Sequence, residues 1–110
     1  MYNYRIDAVR SVYDGDTIRV DLDLGFGVIL RNQAIRLKGI DTPEIRGVKD
    51  KAPGYAARDA LENRLKTADT LFIRTYKDRK GKYGRWLGEL FENGENINVW
   101  LVQSGFAKVY

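Results

Sequence analysis

The chain has 110 residues, 44% of them hydrophobic and 31% charged, the balance of one small folded domain and not of a disordered segment. It contains neither cysteine nor histidine, which excludes a disulfide scaffold, a thiol nucleophile, thiolate or imidazole metal sites and imidazole acid–base chemistry. Lys and Arg number 19 and Asp and Glu 15, a net charge of +4. The surplus is uneven: residues 1–45 hold six bases and seven acids, and residues 46–110 hold thirteen bases and eight acids. A basic face suits a polyanion and an acidic cluster suits a cation. No stretch reaches membrane-spanning length, and Met1–Arg5 lacks the apolar core of a signal peptide. The expected location is therefore cytoplasmic, or secreted if a leader has been removed, with no membrane partner and a monomeric state.

Tyr4, Ile6 and Ala8 alternate with polar neighbours, which predicts a half-buried strand, and Val9 and Val12 break the alternation as a bulge would. Asp14-Gly15-Asp16 is a turn signal. Ile18, Val20, Leu22 and Leu24 then alternate with Arg19, Asp21 and Asp23, predicting a second strand with its aliphatics inward and its charges wet. A third strand is expected to carry Ile35, Leu37 and Gly39 on one face, ending at Asp41-Thr42-Pro43. Residues 44–54 read as an exposed loop. Ala57, Leu61, Leu65 and Ala68 then recur at helical spacing. Leu71, Ile73 and Thr75 mark a fourth strand, residues 77–85 a basic loop, and Trp86 to Phe91 a fifth strand closed by Asn93-Gly94. A short helix near Asn98–Ser104, with Gly105 just past its end, precedes an apolar tail. Five strands with a helix between the third and fourth and a short C-terminal helix predict a mainly β, α+β chain: one OB-fold barrel over residues 1–110. An open α+β sheet is the runner-up.

Three segments carry possible chemistry. Asp14-Gly15-Asp16-Thr17 sets two carboxylates at a glycine turn, a candidate for a hard cation, although taken alone an ordinary hairpin entry with Asp14 capping the turn is the favoured reading. Arg36 and Asp41-Thr42-Pro43-Glu44 place a guanidinium, two carboxylates and a hydroxyl within nine residues. The odd spacing of Arg36 and Asp41 would put them on opposite faces of an unbroken strand, so a turn or bulge must join them. Residues 74–85 hold six bases and one acid and end in Lys82-Tyr83-Gly84-Arg85, fit for phosphates and a stacked ring, or simply a solvated loop.

In order, DGDT, RLKGIDTPE, a helix, KYGR and LVxxGxAKV resemble the staphylococcal nuclease (thermonuclease) family from about Val9 to the C-terminus. The resemblance implies an OB barrel and a calcium-dependent nuclease. Such an enzyme would cleave DNA and RNA, single strands preferentially, to 3′-phosphate products. It implies that Asp16, Asp41 and the Thr42 carbonyl hold Ca²⁺, with Asp14 in support. Glu44 would position and deprotonate the attacking water, and Arg36 and Arg85 would grip the scissile phosphate. Lys82 and Tyr83 would contact a terminal phosphate, and Tyr110 would stack on the base. Two readings compete: a non-catalytic OB-fold that binds nucleic acid, and a protein-interaction module that keeps only the fold. The complete charged set favours the enzyme.

Overall fold

The computed structural model describes residues 2–78 and 85–110. Strands β1 (Tyr2–Asp14), β2 (Thr17–Asp23) and β3 (Ile29–Leu37) are followed by the two-residue β4 (Ile40–Asp41) and helix α1 (Ala52–Thr67). Next come β5 (Leu71–Lys77), β6 (Trp86–Glu92), β7 (Glu95–Asn96), helix α2 (Ile97–Gln103) and β8 (Lys108–Val109). The sheet order β3-β2-β1-β5-β6-β7 is closed by an additional β3–β6 pairing, giving a five-stranded barrel. All pairings along it are antiparallel except this closing seam, where Ile35, Arg36 and Leu37 lie parallel to Trp86, Leu87 and Gly88. An OB-type barrel with one helix between its third and fourth strands and a short helix near its end is what the alternation predicts.

Strand alternation fills the barrel. Ile18, Val20, Ile35, Leu37, Ile73 and Leu90 are all essentially inaccessible to solvent. Helix α1 adds Leu61 and Leu65, and α2 adds Ile97 and Leu101. Each such side chain contributes roughly 1.5–3 kcal/mol on leaving water. The irregularity expected at Val9 and Val12 is present as register shifts in the β1–β2 ladder. Asn93 and Gly94, both at positive φ, form the tight turn from β6 to β7.

The structure corrects several local expectations. Leu24 is exposed, because the strand ends at Asp23 and the chain turns away from the core. Asp21, expected in water, is 1% exposed. A shift in the β2–β3 register at this point lets its carboxylate accept from the backbone N–H of Asn32 (2.8 Å) and from Arg10 Nε (3.0 Å). Gly39 lies in a turn rather than on the third strand, at φ 80°. Helix α1 starts at Ala52, inside the expected loop, with Pro53 in its first turn. The apolar tail supplies β8, which pairs with β4.

Candidate active site

The turn after β1 brings Asp14, Gly15 and Asp16 beneath the segment that leaves β4. Asp16 is only 6% exposed. Its Oδ2 accepts from both the backbone N–H and the hydroxyl of Thr42, each at 3.0 Å, and its Oδ1 accepts from the Thr17 hydroxyl at 3.2 Å. Gly15 allows this approach. A Cβ there would lie 2.7 Å from Thr42 Cγ2 and 2.8 Å from Ala57 Cβ, so the turn, the Thr42 segment and α1 meet at a point with no room for a side chain.

Arg36 joins the pieces. It stands on β3 at the barrel seam, opposite Thr17 on β2 and beside Leu87 on β6. Its Nη1 is 2.9 Å from Asp16 Oδ2, and its Nη2 donates to Asp41 Oδ1 at 3.3 Å. The break between β3 and β4 at Lys38-Gly39 turns Asp41 back toward Arg36, which resolves their odd spacing. Nη1 is buried, and although it forms an ion pair with Asp16, none of its N–H bonds is aligned on an acceptor. The guanidinium thus keeps unused donor capacity.

Arg36 also lines a groove of about 500 Å³ together with Lys38, Lys77, Arg85 and Tyr110. Arg85, far along the chain, is held by Asp78, whose Oδ2 accepts from its Nε at 3.2 Å. Pairing of β8 with β4 carries Tyr110 back, and its N–H donates to the Gly39 carbonyl at 3.0 Å. The Tyr110 ring centroid then lies 5.7 Å from the Arg36 guanidinium. The two arginines therefore share one groove. Glu44 is exposed on the segment beyond Asp41 and is not part of the groove wall. Lys82 and Tyr83 lie outside the described residues.

The charges at the turn are crowded. Asp14 is pushed up to about 6, first by burial and then by the hydrogen bond and charge of Asp16, while the Asp16 backbone N–H opposes the rise. Burial works on Asp16 in the same direction. It is outweighed by the hydrogen bond with Asp14, the Thr42 N–H and Arg36, which hold Asp16 below the ordinary carboxylate range. Such a site favours added positive charge. The carboxylates of Asp16 and Asp41, both within reach of Arg36, offer oxygen donors, the kind a hard divalent ion takes. Among the described residues no group of three or more acidic side chains is placed to hold a metal.

Sequence reasoning did not find three contributors. The Thr42 hydroxyl, noted in the sequence but given no partner, ties Asp16 in place. Gly15 sets the approach of the turn to α1. Asp78, the single acid among residues 74–85, orients Arg85. That isolation within a basic run was the available signal for Asp78. The contact of Gly15 with α1 and the pairing of the Thr42 hydroxyl with Asp16 left none, since those partners are distant in sequence.

A family model, staphylococcal nuclease homologue, matches residues 34–110. Among curated proteins, the chain is 33% identical over 110 residues to the endonuclease YhcR of Bacillus subtilis, covering 93% of this chain and 9% of that protein. It is 35% identical over 104 residues to the thermonuclease of Staphylococcus intermedius, covering 91% of this chain and 56% of that one. An uncharacterized protein of Methanocaldococcus jannaschii is 31% identical over 125 residues, with 93% and 58% covered. The chain thus spans between about a tenth and three-fifths of the length of these relatives. With the matched model spanning the seam strand, β4 and Arg85, and with the barrel closed as described, the chain belongs to the family of staphylococcal nuclease homologues.

Proposed function

We propose that this domain is a nuclease that hydrolyses phosphodiester bonds of DNA and RNA, single strands preferentially, with Ca²⁺ as cofactor and 3′-phosphate products. The observation that carries the reading is Arg36, paired with both Asp16 and Asp41 while lining one groove with Arg85 and Tyr110. The names of two relatives, an endonuclease and a thermonuclease, support it.

A phosphodiester repels anionic nucleophiles and gathers charge on its oxygens in the transition state, so preorganised cations lower the barrier. Arg36, on β3, and Arg85, just before β6, reach the groove from different parts of the chain and can hold different oxygens of one phosphate, each through a planar fork of donors. Asp78 and Asp16 fix those forks, so little reorganisation is needed when charge develops. Asp16, Asp41 and the Thr42 carbonyl would hold the metal, which when bound polarises a phosphate oxygen. Glu44, an exposed carboxylate three residues past Asp41, is assigned to orient the attacking water and take its proton. Tyr110 at the groove wall offers a ring face to the base beside the held phosphate.

Cleavage of single-stranded DNA, assayed with calcium and then with excess chelator, tests the proposal. The expected result is cleavage that the chelator abolishes and products ending in 3′-phosphate. Tight binding without cleavage in both conditions would replace it with the non-catalytic binding module.

A further inference from the structure

The outer face of the barrel beside the site carries a second set of groups. Thr17 and Arg36 are paired across β2 and β3, and two residues on, Arg19 is paired with Ala34, with no register shift between. Residues two apart on a strand share a face, so Arg19 stands on the face from which Arg36 projects. Two residues further, Asp21 is covered by Arg10 and Arg31. On β1, Val12 packs inward and its neighbour Tyr13 is 56% exposed, close to the Asp14–Asp16 turn. The β2–β3 hairpin then runs outward to a tip whose residues 24–30 carry no charge. Leu24, Phe26, Val28 and Leu30 are all exposed there, and Phe26 is wholly exposed at φ 56°.

This tip is built. Leu24 N–H donates to the Val28 carbonyl at 2.9 Å, Val28 N–H to the Gly25 carbonyl at 3.0 Å, and Gly25 N–H to Asp23 Oδ1 at 2.9 Å. The backbone holds Phe26 out in water in a conformation that non-glycine residues seldom adopt. Across this stretch of β1–β3, Arg5, Arg10, Arg19 and Arg31 stand against Asp7, the buried, paired Asp21 and the hairpin-capping Asp23, a surplus of one positive charge. Asp7 is exposed at the β1 bulge beside Asp21 and Leu22. Cations between two exposed rings, Tyr13 at the groove end and Phe26 at the hairpin tip, are the chemistry of a single-strand track: arginines neutralise phosphates and rings stack on bases without reading sequence.

We infer that Tyr13, Arg19, Arg31 and Phe26 form an extended single-stranded nucleic-acid track that begins at the Arg36 groove and ends at the β2–β3 hairpin. Its occupant is the portion of the strand that continues past the held phosphate. The inference rests on the proposed nuclease reading for the identity of that strand. From Thr17 to Asp23 the track spans about 20 Å at roughly 3.4 Å per residue. It therefore makes affinity depend on strand length while leaving the chemistry at Arg36 untouched.

The test uses fluorescence anisotropy in excess chelator with oligothymidines of about 4 and about 16 nucleotides, the range that OB folds accommodate. Cleavage of the 4-mer with calcium is measured alongside. The native protein is expected to bind the 16-mer more tightly. Tyr13→Ala and Phe26→Asn, the latter keeping a residue that tolerates positive φ, are expected to weaken 16-mer binding roughly 5-fold or more each. Arg19→Ala is expected to lower the salt slope for the 16-mer by about 0.7, and Arg19→Lys to restore it. None of these variants alters 4-mer affinity or 4-mer cleavage, and unchanged thermal midpoints establish that they fold. Equal affinity for both lengths, or native 16-mer affinity in all three weakened variants, overturns the track. So does binding of anionic lipid vesicles that is lost in Phe26→Asn while 16-mer affinity is unchanged. Length-dependent binding by a protein that cleaves neither oligomer upholds the track and overturns the nuclease. Cleavage without length dependence does the reverse.

Discussion

Arg36 has two roles at once, and its substitutions should separate them. Arg36→Ala is expected to slow cleavage about 100–1,000-fold, the usual loss for a transition-state contact. It should also lower stability, because Asp16 remains buried without its counter-charge. Breaking a buried pair costs ~3–5 kcal/mol, and the two Thr42 donors that Asp16 retains place this case near the lower end. Arg36→Lys should recover most of the thermal midpoint, since a cation returns, while cleavage stays slow because an ammonium cannot fork. Equal recovery of midpoint and rate would contradict the assignment. By sequence alone, Arg36, Arg85 and Glu44 look equivalent, as groups whose loss affects turnover only; the burial of Asp16 against Arg36 sets that residue apart. Asp21 governs acid stability in a different way. Its hydrogen bond from Arg10, followed by that from the Asn32 N–H, holds it below the ordinary carboxylate range. A carboxylate depressed in the folded state contributes stability above the unfolded value near 3.9, and that contribution is lost as the pH falls through the folded value. The melting temperature should therefore fall below about pH 4, and Asp21→Asn should show a lower midpoint at neutral pH with a shallower acid decline. Parallel curves for the two proteins would show that Asp21 is not the titrating group.

At the scale of elements, the site depends on how closely β1, β4 and α1 approach. Gly15→Ala should cost about 1–3 kcal/mol, the usual range for overpacking, and should move Thr42 off Asp16, so that the rate and the midpoint fall together. A second junction is Asn98 on α2, 3% exposed. Its side chain accepts from Leu90 N–H at 3.1 Å and donates to the Lys38 and Gly88 carbonyls, both at 2.9 Å. It thereby fixes the Lys38-Gly39 turn that separates Arg36 from Asp41. Asn98→Leu leaves the buried Leu90 N–H without its partner, at about 1–3 kcal/mol, and should lower the melting temperature. A midpoint unchanged from the native protein would mean that the turn is held by other contacts. In sequence, Asn98 reads as an ordinary residue at a helix start, because all three partners lie on other strands and turns.

For the whole molecule, ring closure decides what meets what. The β3–β6 seam is the single parallel pairing among the described residues, and it sets Arg36 beside the strand that follows Arg85. The β4–β8 ladder then brings Tyr110 over the same groove. Because Tyr110 is largely exposed, Tyr110→Ala should leave stability within about 0.5 kcal/mol and weaken nucleotide binding roughly 5-fold or more through lost stacking. A large fall in midpoint with unchanged binding would make Tyr110 structural. The barrel strands, both helices and the aliphatic core were legible in the sequence by themselves, because period-two and helical alternation are local records of which side faces the core. The residue types able to do phosphate chemistry were legible from composition, which had already removed imidazole and thiol. Only the tertiary structure decided that Asp21 is buried, that Gly15 and Asn98 hold the site together, and that Arg36, Arg85 and Tyr110 share a groove. Those facts depend on register shifts, on a parallel seam and on a tail folded back onto a two-residue strand, all contacts between residues far apart in the chain, which no local pattern encodes.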